Sequence, residues 1–272
     1  MQRINDHQHG CESALKIHCC CFEEDIFPWH QDDLRTPSWR FYWCPSPGGH
    51  LLHGQRKVAL LPTKFYIVPG YLKFSTRADA PFSQFYIHFG LSERQPPQSQ
   101  IFELDADAEN LSLIRRFIRR ETSPAVRQLT RLTALSVVAS ALMRLPEGVL
   151  RLPPEYDPRI ERVLAWIHRN LNLCSTNDRL AKIAQMSRNG FIHLFEKELG
   201  EPPQKYCRRR RIERGCELLL YSAMPMEDIA EATGFADRYH FSRVFWQVMH
   251  FTPAAFRRNQ LVSHGMKRTE KE

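Results

Sequence analysis

The sequence predicts an α+β chain of two domains: an N-terminal β-barrel followed by helices, then an all-α domain with two helix-turn-helix motifs. Three observations carry that expectation. Short β-branched and aromatic runs recur every 8–12 residues from about Trp39 to Phe89, punctuated by Pro and Gly, which is the rhythm of an all-β unit. From about residue 109 the apolar period changes to that of a helix. Residues 180–208 then return at 229–258 with a single insertion.

Size and composition bound the rest. At roughly 100–200 residues per domain, 272 residues make two domains. A hydrophobic share of 43% with 25% charged residues is globular and excludes wholesale disorder. No apolar run reaches the roughly 18 residues of a membrane-spanning helix, and the first thirteen residues lack the apolar core of a secretion signal. The expectation is a soluble, cytoplasmic chain with no membrane partner. Residues 1–150 carry 17 Lys and Arg against 15 Asp and Glu, whereas residues 151–272 carry 21 against 15. The excess positive charge lies in the second half and points to an anionic partner there.

In the first half, strands are expected at Trp39–Trp43, Lys57–Leu61, Phe65–Val68, Leu72–Thr76 and Phe85–Phe89. Alternation in the last of these sends Gln84, Tyr86 and His88 to one face and Phe85, Ile87 and Phe89 to the other. The second set is core. The first set suits a small-molecule cavity, or else consists of ordinary hydrogen-bonded barrel residues. The eight cysteines contain no C-x-x-C pair, and Cys19-Cys20-Cys21 reads as reduced thiols filling a strand rather than a metal site. His50 and His53 flank a Gly-rich turn, and no H-x-H with a following Glu is present. The expectation is no metal, no cofactor, no catalytic residue and no enzyme activity. Two amphipathic helices follow, one with the stripe Leu111, Ile114, Phe117 and Ile118, the other with Leu129, Leu132, Leu135, Val138, Ala139 and Leu142. Pro146, Pro153, Pro154 and Pro158 break the pattern, so the domains are placed at 1–150 and 155–260, with a charged, disordered tail at 261–272.

The repeat holds an offset of 49 from Leu180 to Met186 and of 50 from Phe191 to Arg208. Each copy has the layout of a helix-turn-helix, at about 178–199 and 226–249. Asp178 and Ser187 are placed as caps in the first copy, with Gly200 closing it; Gly234 and Asp237 mark the turn and cap of the second. Phe191, Leu194, Phe195 and Leu199, and then Phe241, Val244, Phe245 and Val248, fall on the core stripes. Outward stand Arg188, Asn189, Ile192 and His193, and Arg238, Tyr239, Ser242 and Arg243, which form a base-reading set because Arg suits guanine, Asn adenine and Ile a thymine methyl. Trp246, also outward, is expected against a neighbouring helix or the sugar-phosphate backbone. A third helix, about 204–220, spans on the order of 25 Å and can hold the two reading helices about one DNA turn apart. Its Lys205, Arg208, Arg209 and Arg210 are candidates for phosphate contacts, which position without specifying sequence.

The segments L-A-x-x-A-x-M-S-R-N-G-F-I-H-L-F-E-K-E-L-G-E-P-P-Q-K-Y and I-A-E-A-T-G-F-A-D-R-Y-H-F-S-R-V-F-W-Q-V-M-H-F-T-P-A-A-F-R resemble the two halves of the AraC/XylS family DNA-binding domain. The resemblance covers residues 160–258. It implies seven helices and binding to two adjacent major-groove faces of double-stranded DNA. The chain departs from the family pattern at Phe191, where an aliphatic residue is usual, at Trp246, where Lys is usual, and at His250, where Gly is usual. Loss of that Lys removes a phosphate contact. The pieces R-F-Y-W-C-P-S-P-G-G, F-S-T-R and F-Y-I-H-F resemble the cupin-like sensor barrel of family members. That resemblance nominates Arg35, Gln84, Tyr86 and His88 as an effector pocket and the helix around 126–145 as a homodimer contact. The function implied is a sequence-specific transcription regulator of the activator kind. It would respond to a small effector such as a sugar or related metabolite, with RNA polymerase as a partner. The alternative is an interaction module or anti-activator that keeps the fold without specific DNA binding; outward Arg188, Arg238 and Arg243 weigh against it.

Overall fold

The computed structural model describes residues 15–91, 98–118, 124–150, 156–173 and 175–261, excepting the side chains of 124–128 and 259–261. Cys11, Cys174 and the tail beyond 261 lie outside the described residues. The described chain divides into two compact units that meet in sequence between residues 150 and 156.

Nine strands are described: β1 Leu15–Ile26, β2 Gln31–Leu34, β3 Trp39–Trp43, β4 Gly49–His53, β5 Arg56–Ala59, β6 Lys64–Val68, β7 Phe74–Ala78, β8 Phe82–Leu91 and β9 Phe102–Asp105. They form two antiparallel sheets, ordered β1-β8-β3-β6-β9 and β2-β7-β4-β5. Alternation sorts the five-stranded sheet onto two cores. Trp39, Phe41, Phe65, Ile67, Phe85, Ile87 and Phe89 pack with Ile114, Ala134, Val137, Val138 and Ala141 of two helices, α1 Ala108–Ile118 and α2 Pro124–Met143. Tyr42, Tyr66, Val68 and Tyr86 point the other way and meet Leu51, Val58 and Phe74 of the four-stranded sheet. Both faces of the larger sheet are thus covered, which is why every residue of β3 is buried.

The Cys19–Cys21 run lies in a strand, as expected, and β1 carries two register shifts, after Ile17 and after Glu23. Three of the other strands escape the sequence pattern. β4 occupies the stretch read as a Gly-rich turn, so His50 and His53 stand on a strand rather than in a loop. The polar β2 and the acidic β9 carry too few apolar residues to show alternation. The expected stripe of α2 also divides: Val138 and Leu142 are buried beneath the sheet, whereas Leu129 and Leu132 remain exposed.

The C-terminal unit has seven described helices: α3 Pro158–Arg169, α4 Asn177–Ala184, α5 Arg188–Leu199, α6 Pro203–Tyr221, α7 Met226–Ala232, α8 Arg238–Met249 and α9 Pro253–Leu261. Pro158 opens α3 rather than breaking a helix, with the Asp157 carboxylate accepting from the Arg159 N–H at 2.9 Å; Pro lacks the N–H that a first turn cannot use. One core gathers Ile160, Val163, Leu180, Phe191 and Phe195, and the other Ile229, Phe241, Phe245 and Phe256. Helix α6 belongs to both, giving Tyr206 and Cys207 to the first and Ile212, Cys216 and Leu219 to the second. At Gly215 an added Cβ would stand 2.8 Å from the Phe241 ring, so α6 and α8 approach closely there.

Arg211 joins the two halves through its guanidinium. It donates to the carbonyls of Leu171 at 2.9 Å, Leu173 at 2.7 Å and Gly234 at 3.2 Å. Gly234 has φ +73°, and a Cβ there would lie 2.7 Å from the Leu171 carbonyl oxygen. Gly234→Ala is therefore expected to cost about 1–3 kcal/mol through left-handed strain and this clash. Urea unfolding followed by helical circular dichroism should show a lower midpoint with an unchanged slope.

Candidate nucleic-acid interface

Local rules fix where the two exposed helices begin and end. Ser187 Oγ accepts from the Gly190 N–H at 3.3 Å to start α5. The Asp237 carboxylate accepts from the N–H groups of His240 and Tyr239 at 2.7 and 2.8 Å to start α8, and these bonds hold it below the usual carboxylate range. The cap of α4 is Thr176, not Asp178, which lies in the first turn of the helix. The backbone repeats even where the residues do not. Gln185 and Gly234, at the two turns, have φ +56° and +73°, while Gly200 and His250, at the ends of α5 and α8, have +69° and +61°. His250 thus keeps the left-handed helix end that Gly supplies in the first copy.

Phe191, Phe195, Phe241 and Phe245 are completely buried, and that fixes the outward faces. On α5, Arg188, Asn189 and His193 are exposed. Ile192 is half-buried against the first core, so it stands at the edge of the face rather than on it. On α8, Arg238, Tyr239 and Arg243 are exposed and Ser242 is half-buried. Met249 takes the core position expected for Val248, which is exposed. Trp246 is 55% exposed, with its ring edge-on to His250 at 6.5 Å rather than packed under a neighbouring helix.

The first residue of each exposed helix pairs with an acid on the helix before it. Arg188 lies 3.8 Å from Asp178, and Arg238 lies 2.9 Å from Glu227. These pairs occupy matching positions of the repeat. Both are exposed and contribute little to stability, so an anion can take the acid's place.

The basic run on α6 divides. Lys205 and Arg208 are exposed. Arg209 is held by Glu201 at 2.6 Å and Glu213 at 3.0 Å, and it stacks over the Tyr206 ring at 4.9 Å. Arg210 pairs with Glu213 at 2.9 Å, and Arg214 with Glu217 at 2.7 Å. The expectation of phosphate contacts at Arg209 and Arg210 is corrected accordingly: Glu201 is buried and needs a cation beside it. The spacing of Arg209 and Arg210 to Glu213, four and three residues on a helix, was the available signal. Nearby, burial first and Arg210 second push His168 down to about 4, and its ring nitrogen lies 2.8 Å from the Tyr206 hydroxyl.

In the N-terminal unit, Gln84, Tyr86 and His88 line a small cleft between the sheets, together with Trp29, Gln31, Leu34, Arg40, Tyr42 and Thr76. Arg35 is exposed and lies outside the lining. The arginine of the cleft is Arg40, buried, opposite His88 in the β3–β8 register and over the Phe74 ring at 5.0 Å. Its position between Trp39 and Phe41 marks it by alternation as facing with Tyr42. Tyr86 donates to Glu23 at 2.6 Å, and burial raises the Glu23 carboxyl. No group of three or more His, Cys, Asp or Glu among the described residues is placed to hold a metal ion.

Two capped helices presenting polar and basic faces from a shared spine define a helix-turn-helix DNA-binding domain. Residues 180–259 match the family model described as a helix-turn-helix domain. The chain is 30% identical over 134 residues to the MmsAB operon regulatory protein of Pseudomonas aeruginosa, covering 49% of this chain and 43% of that one. It is 40% identical over 62 residues to the XylDLEGF operon transcriptional activator of Pseudomonas putida, covering 22% and 19%. The chain spans less than half the length of these curated relatives. Crystalline ToxT of Vibrio cholerae shares the two-unit fold at 10% identity, with a TM-score of 0.52 over 92% of this chain and 98% of that one. Residues 180–259 are thus a helix-turn-helix domain, and these relatives are named as regulators of operon expression.

Arg209→Met strands the buried Glu201 and is expected to cost about 2 kcal/mol or more of stability. Arg208→Ala should leave the unfolding midpoint unchanged and lower the slope of log affinity for duplex DNA against log salt by about 1. Denaturation and salt-titrated binding separate the two.

Proposed function

We propose that this chain is a soluble, cytoplasmic transcription regulator that grips two adjacent major-groove faces of double-stranded DNA with α5 and α8. The repeated helix-turn-helix geometry, with both outward faces exposed on one spine, is the observation that carries this reading. Asn189 and His193 on α5, and Tyr239 and Arg243 on α8, contact base edges, with Ser242 and Ile192 at the margins of those faces. Arg188 and Arg238 exchange Asp178 and Glu227 for DNA. Lys205 and Arg208 meet phosphates.

The N-terminal unit senses a small effector in the cleft lined by Gln84, Tyr86, His88 and Arg40. A second copy of the chain covers the exposed Leu129, Leu132 and Met143 of α2, and the effector acts by favouring one arrangement of the resulting dimer. The activator kind, with RNA polymerase as partner, draws its support from the name of the Pseudomonas putida relative.

Selection of random duplexes by the full chain should enrich an asymmetric site with two short boxes. Arg243→Ala should then lose about 1–3 kcal/mol and relax preference at one base pair. Uniform weakening across sequences would make Arg243 a phosphate contact instead. Retention without any sequence enrichment would favour the interaction-module alternative.

A further inference from the structure

Three consecutive cysteines stand on β1, and alternation divides them. Cys20 packs with the core beneath the helices, whereas Cys19 and Cys21 turn to the inner face with Tyr42 and Tyr86. A strand merely filled by thiols accounts for Cys20 but gives no reason for a matched pair on the polar row. The pair stands opposite His88 and Tyr86 in the β1–β8 register. The Cys19 thiol and the Tyr86 hydroxyl are both within hydrogen-bonding reach of the Cys21 sulfur. Both cysteines are half-buried rather than sealed in the core. β1 is the outermost strand of its sheet and pairs with β8 alone among the described residues, so a solute can approach the two sulfurs from that edge.

Spacing decides what the pair can do. Same-face neighbours on a strand are about 6.6–6.8 Å apart, whereas a disulfide needs Cβ atoms about 3.5–4.5 Å apart. Joining the sulfurs directly would buckle β1. An atom placed between them relieves the mismatch, because two metal–thiolate bonds of about 2.3 Å laid end to end span about 4.6 Å. Thiolates select soft ions. No group of three or more His, Cys, Asp or Glu among the described residues is placed to hold a metal ion, so among those residues the pair stands as a two-sulfur site. That disfavours zinc, which is held tetrahedrally, and suits a soft monovalent ion satisfied by two sulfurs in line.

We infer that Cys19 and Cys21 form a binding site for a soft monovalent ion of the Cu(I) class, held in line between their two thiolate sulfurs. Each sulfur gives up its proton as the metal bond forms, and no electron is transferred. The site adjoins the cleft but stands independently of the effector reading, which concerns Gln84, Tyr86, His88 and Arg40.

The test presents Cu(I) to the reduced full chain without oxygen, against an excess of a competing Cu(I) chelator. The chain should withdraw about one ion, and X-ray absorption at the copper edge should report two sulfur neighbours. Zn(II) at the same concentration should not displace it. Changes in the shell around metal ligands cost about 10–100-fold in affinity, so loss of a ligand itself in Cys19→Ser or Cys21→Ser should cost at least about 100-fold. Cys20→Ser and Cys44→Ser should bind as the parent does, with circular dichroism confirming that every variant is folded. Failure to withdraw copper, its retention in both Cys19→Ser and Cys21→Ser, displacement by zinc, or three or four sulfurs around the metal would each overturn the inference.

Discussion

The guanidinium of Arg211 spans three carbonyl oxygens, those of Leu171 and Leu173 ahead of α4 and that of Gly234 in the second turn. Those carbonyls belong to different halves of the C-terminal unit, and the arginine stands on the helix that runs through both. With 19 residues α6 is about 28 Å long, and its two ends are sunk in two separate cores. Reading two major-groove faces at once requires that the reading helices keep one spacing and one phase. Arg211, the close approach at Gly215 and the glycine at 234 together supply that constraint. The Glu201–Arg209–Glu213–Arg210 network braces the same helix and explains why Arg209 and Arg210 point at protein.

In the N-terminal unit the equivalent constraint is register. The pairings Arg40–His88, Tyr42–Tyr86, Cys19–His88 and Glu23–Gln84 put one polar row from three strands on the inner face of the five-stranded sheet. A slip of one residue would turn that row into the core beneath the helices and bury the aromatic row against the cleft. The cleft is therefore a product of the same alternation that builds the core.

Much of this was legible before any coordinates. Both helix-turn-helix units, the Ser187 and Asp237 caps, the Gly200 end and the burial of four phenylalanines follow from periodicity and from a repeat that survives one insertion. Gln84, Tyr86 and His88 sharing a face follows from alternation within one strand. What stayed hidden needed partners distant in sequence. Alternation within β3 puts Arg40 on the face of Tyr42, but only its pairing with β8 brings it beside His88; the spacing of Arg209 to Glu213 marks a pair, but the burial of Glu201 eight residues away is what turns Arg209 inward. Thr176 displaced Asp178 as a cap because either residue type can serve, and only the backbone conformation chooses between them.

The central claim is that the two reading helices form one rigid reader. It is tested most directly by inserting base pairs between the two boxes of a selected site and measuring the affinity of the full chain. A rigid reader predicts that five inserted base pairs, half a turn of the duplex, reduce affinity to that of a single box, on the order of 100-fold or more. Affinity that stays within about twofold across insertions of one to five base pairs would mean that α5 and α8 engage DNA independently, and would contradict the account.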